Sequence, residues 1–152
     1  MKPITKQNIS DFLDCNTMAI AGASRNEKSF SAQVARHLDT LGYDLWLVNP
    51  EFEQIIEGTH RVQSVMQLPS EINHLLVLTS KGQTEMVVNH AIARGIKHIW
   101  IQQQSETSNA IELSEKTDVN LVYNQCIFMF TQPEGIHKFH CRLKQFFGGL
   151  PK

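Results

Sequence analysis

The residues best placed to do chemistry are Gly22, Ala23, Ser24 and Arg25, which follow directly on the apolar run 18–21. A glycine at the end of a strand lets the chain turn sharply, and the amides after it can face an anion at the start of the next helix. Ser24 adds a hydroxyl, and Arg25 a guanidinium able to grip a phosphate through two bonds. Phosphate binding is therefore the chemistry this pattern suggests, although G-x-S after a strand also marks an ordinary tight turn. A second apolar run, 45–48, stops at Asn49 and Pro50. The acid that would hold a ribose in an NAD-binding unit is missing there, as is G-x-G-x-x-G. Both absences disfavour NAD without excluding it, because an asparagine can still bond a ribose or a base edge.

Other polar residues fall where later apolar runs end: Thr79-Ser80-Lys81, Gln102-Gln103-Gln104 and Asn124-Gln125-Cys126. In a parallel sheet, ligands collect outside the carboxyl ends of the strands, so these segments and the 22–25 turn should gather at one edge. Arg25, Lys28 and Lys81 supply positive charge for a phosphorylated ligand. Cys126 is the strongest candidate for covalent chemistry, but packing is the favoured role, because free cysteine is commonly buried and nothing adjacent lowers its pKa. His137 and His140 make half a metal site at helical spacing. The sequence supplies no further ligands, so no metal is expected. Lys138, Arg142 and Lys144 read as a solvated face, Trp100 as core, and the remaining histidines, His90 among them, are assigned no role.

Positioning these residues falls to alternating strands and helices. A helix is predicted over 5–14, capped by Thr5, with Ile4 and Ile9 as a hydrophobic staple and Ile9, Phe12 and Leu13 on one face. A strand follows at 17–21. Phe30, Val34, Leu38 and Leu41 then recur at helical spacing until Gly42. Further strands are predicted at 44–48, 75–79, 98–102 and 120–124. None shows the alternation of a half-exposed strand, as befits a parallel sheet covered on both faces. Helices are predicted at 83–94 and 107–117, with a helical turn at 64–67. Thr131 opens a capping-box pattern and a last helix over 131–147, with Ile136, Phe139, Leu143, Phe146 and Phe147 as its apolar stripe. The alternation predicts an α/β fold: a Rossmann-like, doubly wound parallel sheet of about five strands with flanking helices.

The 152 residues are 41% hydrophobic and 19% charged, with a net charge of −1. This describes one globular domain, 1–152, without the positive field that gathers nucleic acid. No apolar run could span a bilayer, and the first residues lack a secretory pattern, so a cytoplasmic protein with neither membrane nor nucleic-acid partner is expected. Cys15, Cys126 and Cys141 form no C-x-x-C and read as reduced thiols. No His, Cys, Asp or Glu cluster forms a self-sufficient catalytic constellation. A binding module is the better expectation.

Ala19-Ile-Ala-Gly-Ala-Ser-Arg25, Gly42-Tyr43, Val48-Asn-Pro50, Gly58, Leu68-Pro69, Trp100-Ile-Gln102 and Asn124-Gln-Cys126 together resemble the CoA-binding-domain family. Its members are stand-alone relatives of the CoA-binding domain of succinyl-CoA synthetase α subunits, and the matching residues keep the family's order over about 17–130. The resemblance implies a domain that binds coenzyme A, or an acyl-CoA, at the first βα turn. Gly22, Ser24 and Arg25 match the phosphate turn, Asn49 and Pro50 the end of the second strand, and Gln102 and Cys126 the later strand ends. With Ala23, Thr79 and Lys81 they make the expected ligand set, and Cys126 could meet a CoA thiol as a mixed disulfide. The synthetase's phosphohistidine lies outside its CoA-binding domain, so ligase activity is not expected. The chain departs from the family after Gln102, where Gln103-Gln104-Ser105 stands in place of a frequent glycine, whose absence would deny a ligand close backbone approach on that side of the pocket. An NAD(P)- or other nucleotide-binding enzyme and a scaffold that has lost its ligand stand as alternatives. A homo-oligomer or an unidentified protein partner is left open.

Overall fold

A computed structural model, describing residues 1–51 and 57–131, contains one six-stranded parallel sheet. Its strands are β1 (Thr17–Ala21), β2 (Asp44–Val48), β3 (His60–Val62), β4 (His74–Val77), β5 (His98–Gln102) and β6 (Asn120–Gln125). They stand in the order β3-β2-β1-β4-β5-β6, and every neighbouring pair is parallel. The helices are α1 (Lys6–Leu13), α2 (Phe30–Thr40), α3 (Lys81–Arg94) and α4 (Ser108–Glu115). This is the Rossmann-like arrangement expected, with one strand more. The addition, β3, is a His-Arg-Val edge strand paired only with β2, and its residues are exposed or half-buried, so it carries no apolar signal.

Successive residues of a strand point to opposite faces, and here both faces are packed. Met18, Ile20, Leu45, Leu47, Leu76, Trp100 and Val122 lie with Ile9 and Phe12 of α1 and with Val34, Ala35 and Leu38 of α2. Ala19, Ala21, Leu75, Val77, Ile99 and Ile101 lie with Val87, Val88 and Ala91 of α3 and with Ala110 and Ile111 of α4. Two-sided burial is why the strands read as continuous apolar runs. Trp100 is core: fully buried, it takes the edge of Phe12 at 5.3 Å and donates its indole N–H to the Gln125 carbonyl at 3.1 Å.

Thr5 caps α1 as its sequence suggests, with the Asn8 side chain completing the capping box. Asn8 and Asn120 then tie α1 to β6, at 2.8 and 2.9 Å. The helical turn expected at 64–67 is a 3-10 turn, Val65–Gln67, capped by Ser64. Phe30 departs from its expected place on the buried stripe. It is 43% exposed, because it opens α2 ahead of the packed residues Ala32, Val34, Ala35 and Leu38, and it meets Phe128 edge-on at 5.6 Å. The last predicted helix, 131–147, lies outside the described residues beyond Thr131, and with it His137, His140 and Cys141.

At the amino ends of β4 and β5, the rings of His74 and His98 stack 4.2 Å apart and 1° from parallel. Desolvation by burial pushes both pKa values down, and the neighbouring ring's charge adds to the effect at His74. No described helix is long and apolar enough to cross a membrane.

Candidate functional site

The strand order reverses direction between β1 and β4, and a crevice must open at the carboxyl ends there. A cleft of about 700 Å³ occupies this place. One wall is the β1–α2 turn with the end of β2; the other is Thr79 with the facing side of α3.

Gly22 makes the turn. Its φ is +93°, a left-handed conformation costly for other residues, and a Cβ there would lie 2.7 Å from both the Leu78 carbonyl carbon and the Thr79 nitrogen. The Gly22 turn therefore rests directly on the backbone that leaves β4, and the Leu78 N–H donates to the Ala21 carbonyl at 2.8 Å.

From Gly22 the chain does not enter α2 at once, since the helix is capped only at Ser29. The intervening loop folds on its own side chains. The Ser24 N–H donates to Ser31 Oγ at 2.9 Å, and Ser24 Oγ accepts from the Asn26 N–H at 3.0 Å. The Ser24 amide is thus spent within the protein and leaves the set of ligand donors suggested by the sequence. Its hydroxyl proton is used by none of these bonds and can be given to an anion.

Asn49 ends β2 and braces the same corner. Its Nδ2 donates to the Ala23 carbonyl at 3.4 Å, and its Oδ1 accepts from the Glu51 N–H at 2.9 Å. The turn through Pro50 brings Glu51 back toward Arg25, which it meets at 3.3 Å with both side chains more than half exposed. In the sequence Glu51 had no assigned role.

Thr79, Asn49, Pro50 and the whole 22–25 turn line the cleft together. Lys81, Gln102 and Cys126 do not line it. Lys81 is the exposed first residue of α3. Gln102 is buried, and its Oε1 accepts from the Ile127 N–H at 3.1 Å, fixing the turn after β6. Cys126 is buried against Met129, Phe128 and Phe130. The Gln103-Gln104 departure also stands away from the cleft. Gln104 has φ +77°, a left-handed conformation that glycine adopts without strain.

Residues the sequence left without a role complete the site. Gln83, Met86, Val87 and His90 recur at i, i+3, i+4 and i+7 along α3 and turn one stripe of the helix into the cleft wall. Gln63, Ser64 and Val65 line the cleft as well, and Val65 packs with Val87 of α3. Arg94 holds this wall in place, donating to the Leu68 and Ile72 carbonyls at 3.1 Å each and to that of Pro69. The cleft therefore joins a polar turn at Gly22 to an apolar wall of Val65, Met86 and Val87, with the His90 imidazole also in its lining.

A second cavity, about 450 Å³, lies at the amino ends of β1 and β2, beside Cys15, Asn16, Gly42 and Tyr43. Burial, and then the charge of Asp14, push the Cys15 thiol up to about 11, so it stays protonated near neutrality and is no nucleophile. Among the described residues, no three His, Cys, Asp or Glu side chains cluster to hold a metal.

The sequence matches the family described as CoA binding domain over residues 16–132. Among solved structures, the fold is similar to a conserved hypothetical protein from Pyrococcus furiosus, with a TM-score of 0.72 and 26% identity, covering 77% of this chain and 100% of that one. A hypothetical protein from Pyrococcus horikoshii gives a TM-score of 0.73 at 24% identity, covering 84% and 92% of the two chains. A Thermus thermophilus protein described as cell-free ID.343 gives 0.74 at 18% identity, covering 91% and 99%.

Proposed function

The chain belongs to the CoA-binding domain family, and from that premise we propose that its β1/β4 cleft binds coenzyme A or an acyl-CoA without catalysing a reaction. The observation that carries this reading is the gradient within the cleft lining, from the polar Gly22 turn to the apolar side chains of Val65, Met86 and Val87. A ligand with phosphates at one end and a flat base at the other matches that gradient. In this reading the diphosphate lies on the turn, where the Ser24 hydroxyl donates to it and Arg25 exchanges part of its pairing with Glu51 for the ligand. Asn49 and Pro50 shape the adenosine side, and Val65, Met86 and Val87 cover the base. Lys81 stands outside the lining and reaches only a peripheral phosphate. Gln102 and Cys126 act through packing, which removes the mixed disulfide from the reading. The ionisable groups lining the cleft are Arg25, Glu51 and His90, two of them paired with each other, a set suited to holding charge more than to moving protons.

Calorimetric titration of the reduced protein with CoA, with ADP and NAD as competitors, tests the reading. Saturable CoA binding should weaken about tenfold or more in Ser24→Ala and in Arg25→Ala, the scale of one lost charge-assisted hydrogen bond. No CoA binding at millimolar ligand, with ADP or NAD bound in its place, would refute it.

A further inference from the structure

We infer that Thr79 presents an oxygen that can only accept a hydrogen bond, so that the cleft selects a ligand bringing an O–H or N–H donor to that wall. The inference rests on the reading of the cleft as a nucleotide site and names how one wall of it discriminates. Thr79 Oγ1 lies 2.8 Å from Thr84 Oγ1, between side chains that are 7% and 0% exposed. A hydroxyl has one proton to give. Thr84 stands 2.7 Å from the Ser105 carbonyl and 3.1 Å from that of Ser80, and neither carbonyl can donate. An oxygen pair at 2.7 Å without a proton between them would be repulsive, so the Thr84 proton goes to Ser105. The proton between Thr79 and Thr84 must then come from Thr79. Thr79 is a lining residue of the cleft, and its hydroxyl has only lone pairs left to offer a ligand there.

This polarity opposes that of the turn beside it. The Thr79 nitrogen lies 2.7 Å from where a Cβ on Gly22 would stand, so the residue carrying this acceptor adjoins the corner offered to phosphate. A phosphate oxygen against Thr79 would face lone pairs, whereas on the Ser24 side it would meet a proton. The two walls together orient a nucleotide, with its phosphates toward Ser24 and a donor toward Thr79. Two parts of an adenine nucleotide supply such a donor: a ribose hydroxyl and the exocyclic amine of the base.

The test is calorimetry on the full chain with three probes: ADP, 2′,3′-difluoro-2′,3′-dideoxy-ADP, which lacks both ribose hydroxyls, and IDP, which lacks the amine. Thr79→Val keeps the shape and removes the acceptor, and it should weaken ADP about fivefold to tenfold, as for one neutral hydrogen bond. Thr79→Ser should restore ADP affinity to within about twofold, since it returns the hydroxyl. The probe lacking the true donor should bind the wild type more weakly than ADP does, and be indifferent to Thr79→Val. Indifference of the fluoro probe assigns the ribose; indifference of IDP assigns the amine. If the wild type binds ADP and CoA, and Thr79→Val binds all three probes as the wild type does, the inference is overturned while the CoA reading stands. If the wild type binds neither ADP nor CoA, both fall together.

Discussion

Substituting Gly22 by alanine would load two separate penalties on one position, and a second glycine allows them to be told apart. Gly22 and Gly42 have nearly the same backbone, φ +93° and +96°, but a Cβ on Gly42 meets nothing within 4 Å. Gly42→Ala therefore carries only the left-handed strain, about 1–2 kcal/mol, less about 0.4–1 kcal/mol from the stiffer unfolded chain. A net loss of about 1 kcal/mol is expected. Gly22→Ala carries the same two contributions and adds a clash with backbone atoms of Leu78 and Thr79 at 2.7 and 2.8 Å. Backbone cannot rotate away as a side chain can. The β1–α2 turn and the exit of β4 must part by roughly 0.7 Å to regain ordinary contact, and overpacking of this kind costs about 1–3 kcal/mol. Gly22→Ala should thus lose about 2–4 kcal/mol in urea unfolding. Because strain and unfolded-state contributions cancel between the two variants, their difference isolates the close approach. Equal losses, to within about 0.5 kcal/mol, would refute the claim that the turn rests on the β4 backbone. The same displacement should weaken CoA binding in Gly22→Ala and leave it unchanged in Gly42→Ala.

Removing the guanidinium that braces the cleft wall, Arg94→Met, leaves the Leu68, Pro69 and Ile72 carbonyls without their donor. It should cost about 2–3 kcal/mol and lower Tm by roughly 5–10 °C in differential scanning calorimetry; a change under 2 °C would mean the carbonyls find water at no cost. The His74–His98 stack makes stability depend on pH in a fixed direction. Both imidazoles resist protonation in the folded state, so stability is full above the ordinary value of 6.5 and declines as pH falls below it, where the unfolded chain takes up protons first. Urea midpoints between pH 8 and 5 should show that decline, and His74→Gln should flatten it; an unchanged slope in the variant would remove the stack as its cause. Gln104→Gly should raise stability by about 0.5–1 kcal/mol, the relief of a left-handed φ of +77° partly offset by glycine's freer unfolded state. Destabilisation by the same change would indicate that the Gln104 side chain contributes contacts outweighing the strain.

The parallel sheet was legible because burial on two faces leaves its mark within each strand, as in 75–77 and 99–101, whose neighbours point to different helices yet are all apolar. β3 left no such mark. His60 is exposed and Arg61 half-buried at a sheet edge, and it is pairing with Trp46 and Leu47 that defines them as strand. At the site, Gly22 and Asn49 could be read from local sequence because each sits where a strand ends. The stripe of Gln83, Met86, Val87 and His90 had the spacing of a helix face but mixes polar and apolar residues, so neither a core nor a charge pattern singled it out. The approach of Glu51 to Arg25 depends on how two strand ends lie side by side, and the acceptor polarity of Thr79 on a carbonyl 21 residues beyond its partner Thr84. Such relations exist only once the chain has folded.

The order β3-β2-β1-β4-β5-β6 divides the sheet into two three-strand halves joined along a single seam, β1 against β4. The cleft sits astride that seam, with the 22–25 turn and Asn49 contributed by one half and Thr79 and α3 by the other. Anything held there spans both halves and must be released before they can part. Occupancy therefore acts as a clasp, adding its binding free energy to the cohesion of the seam. Amide exchange should register this as slower opening of β1 and β4 on saturation, while the outer strands β3 and β6 keep their own rates.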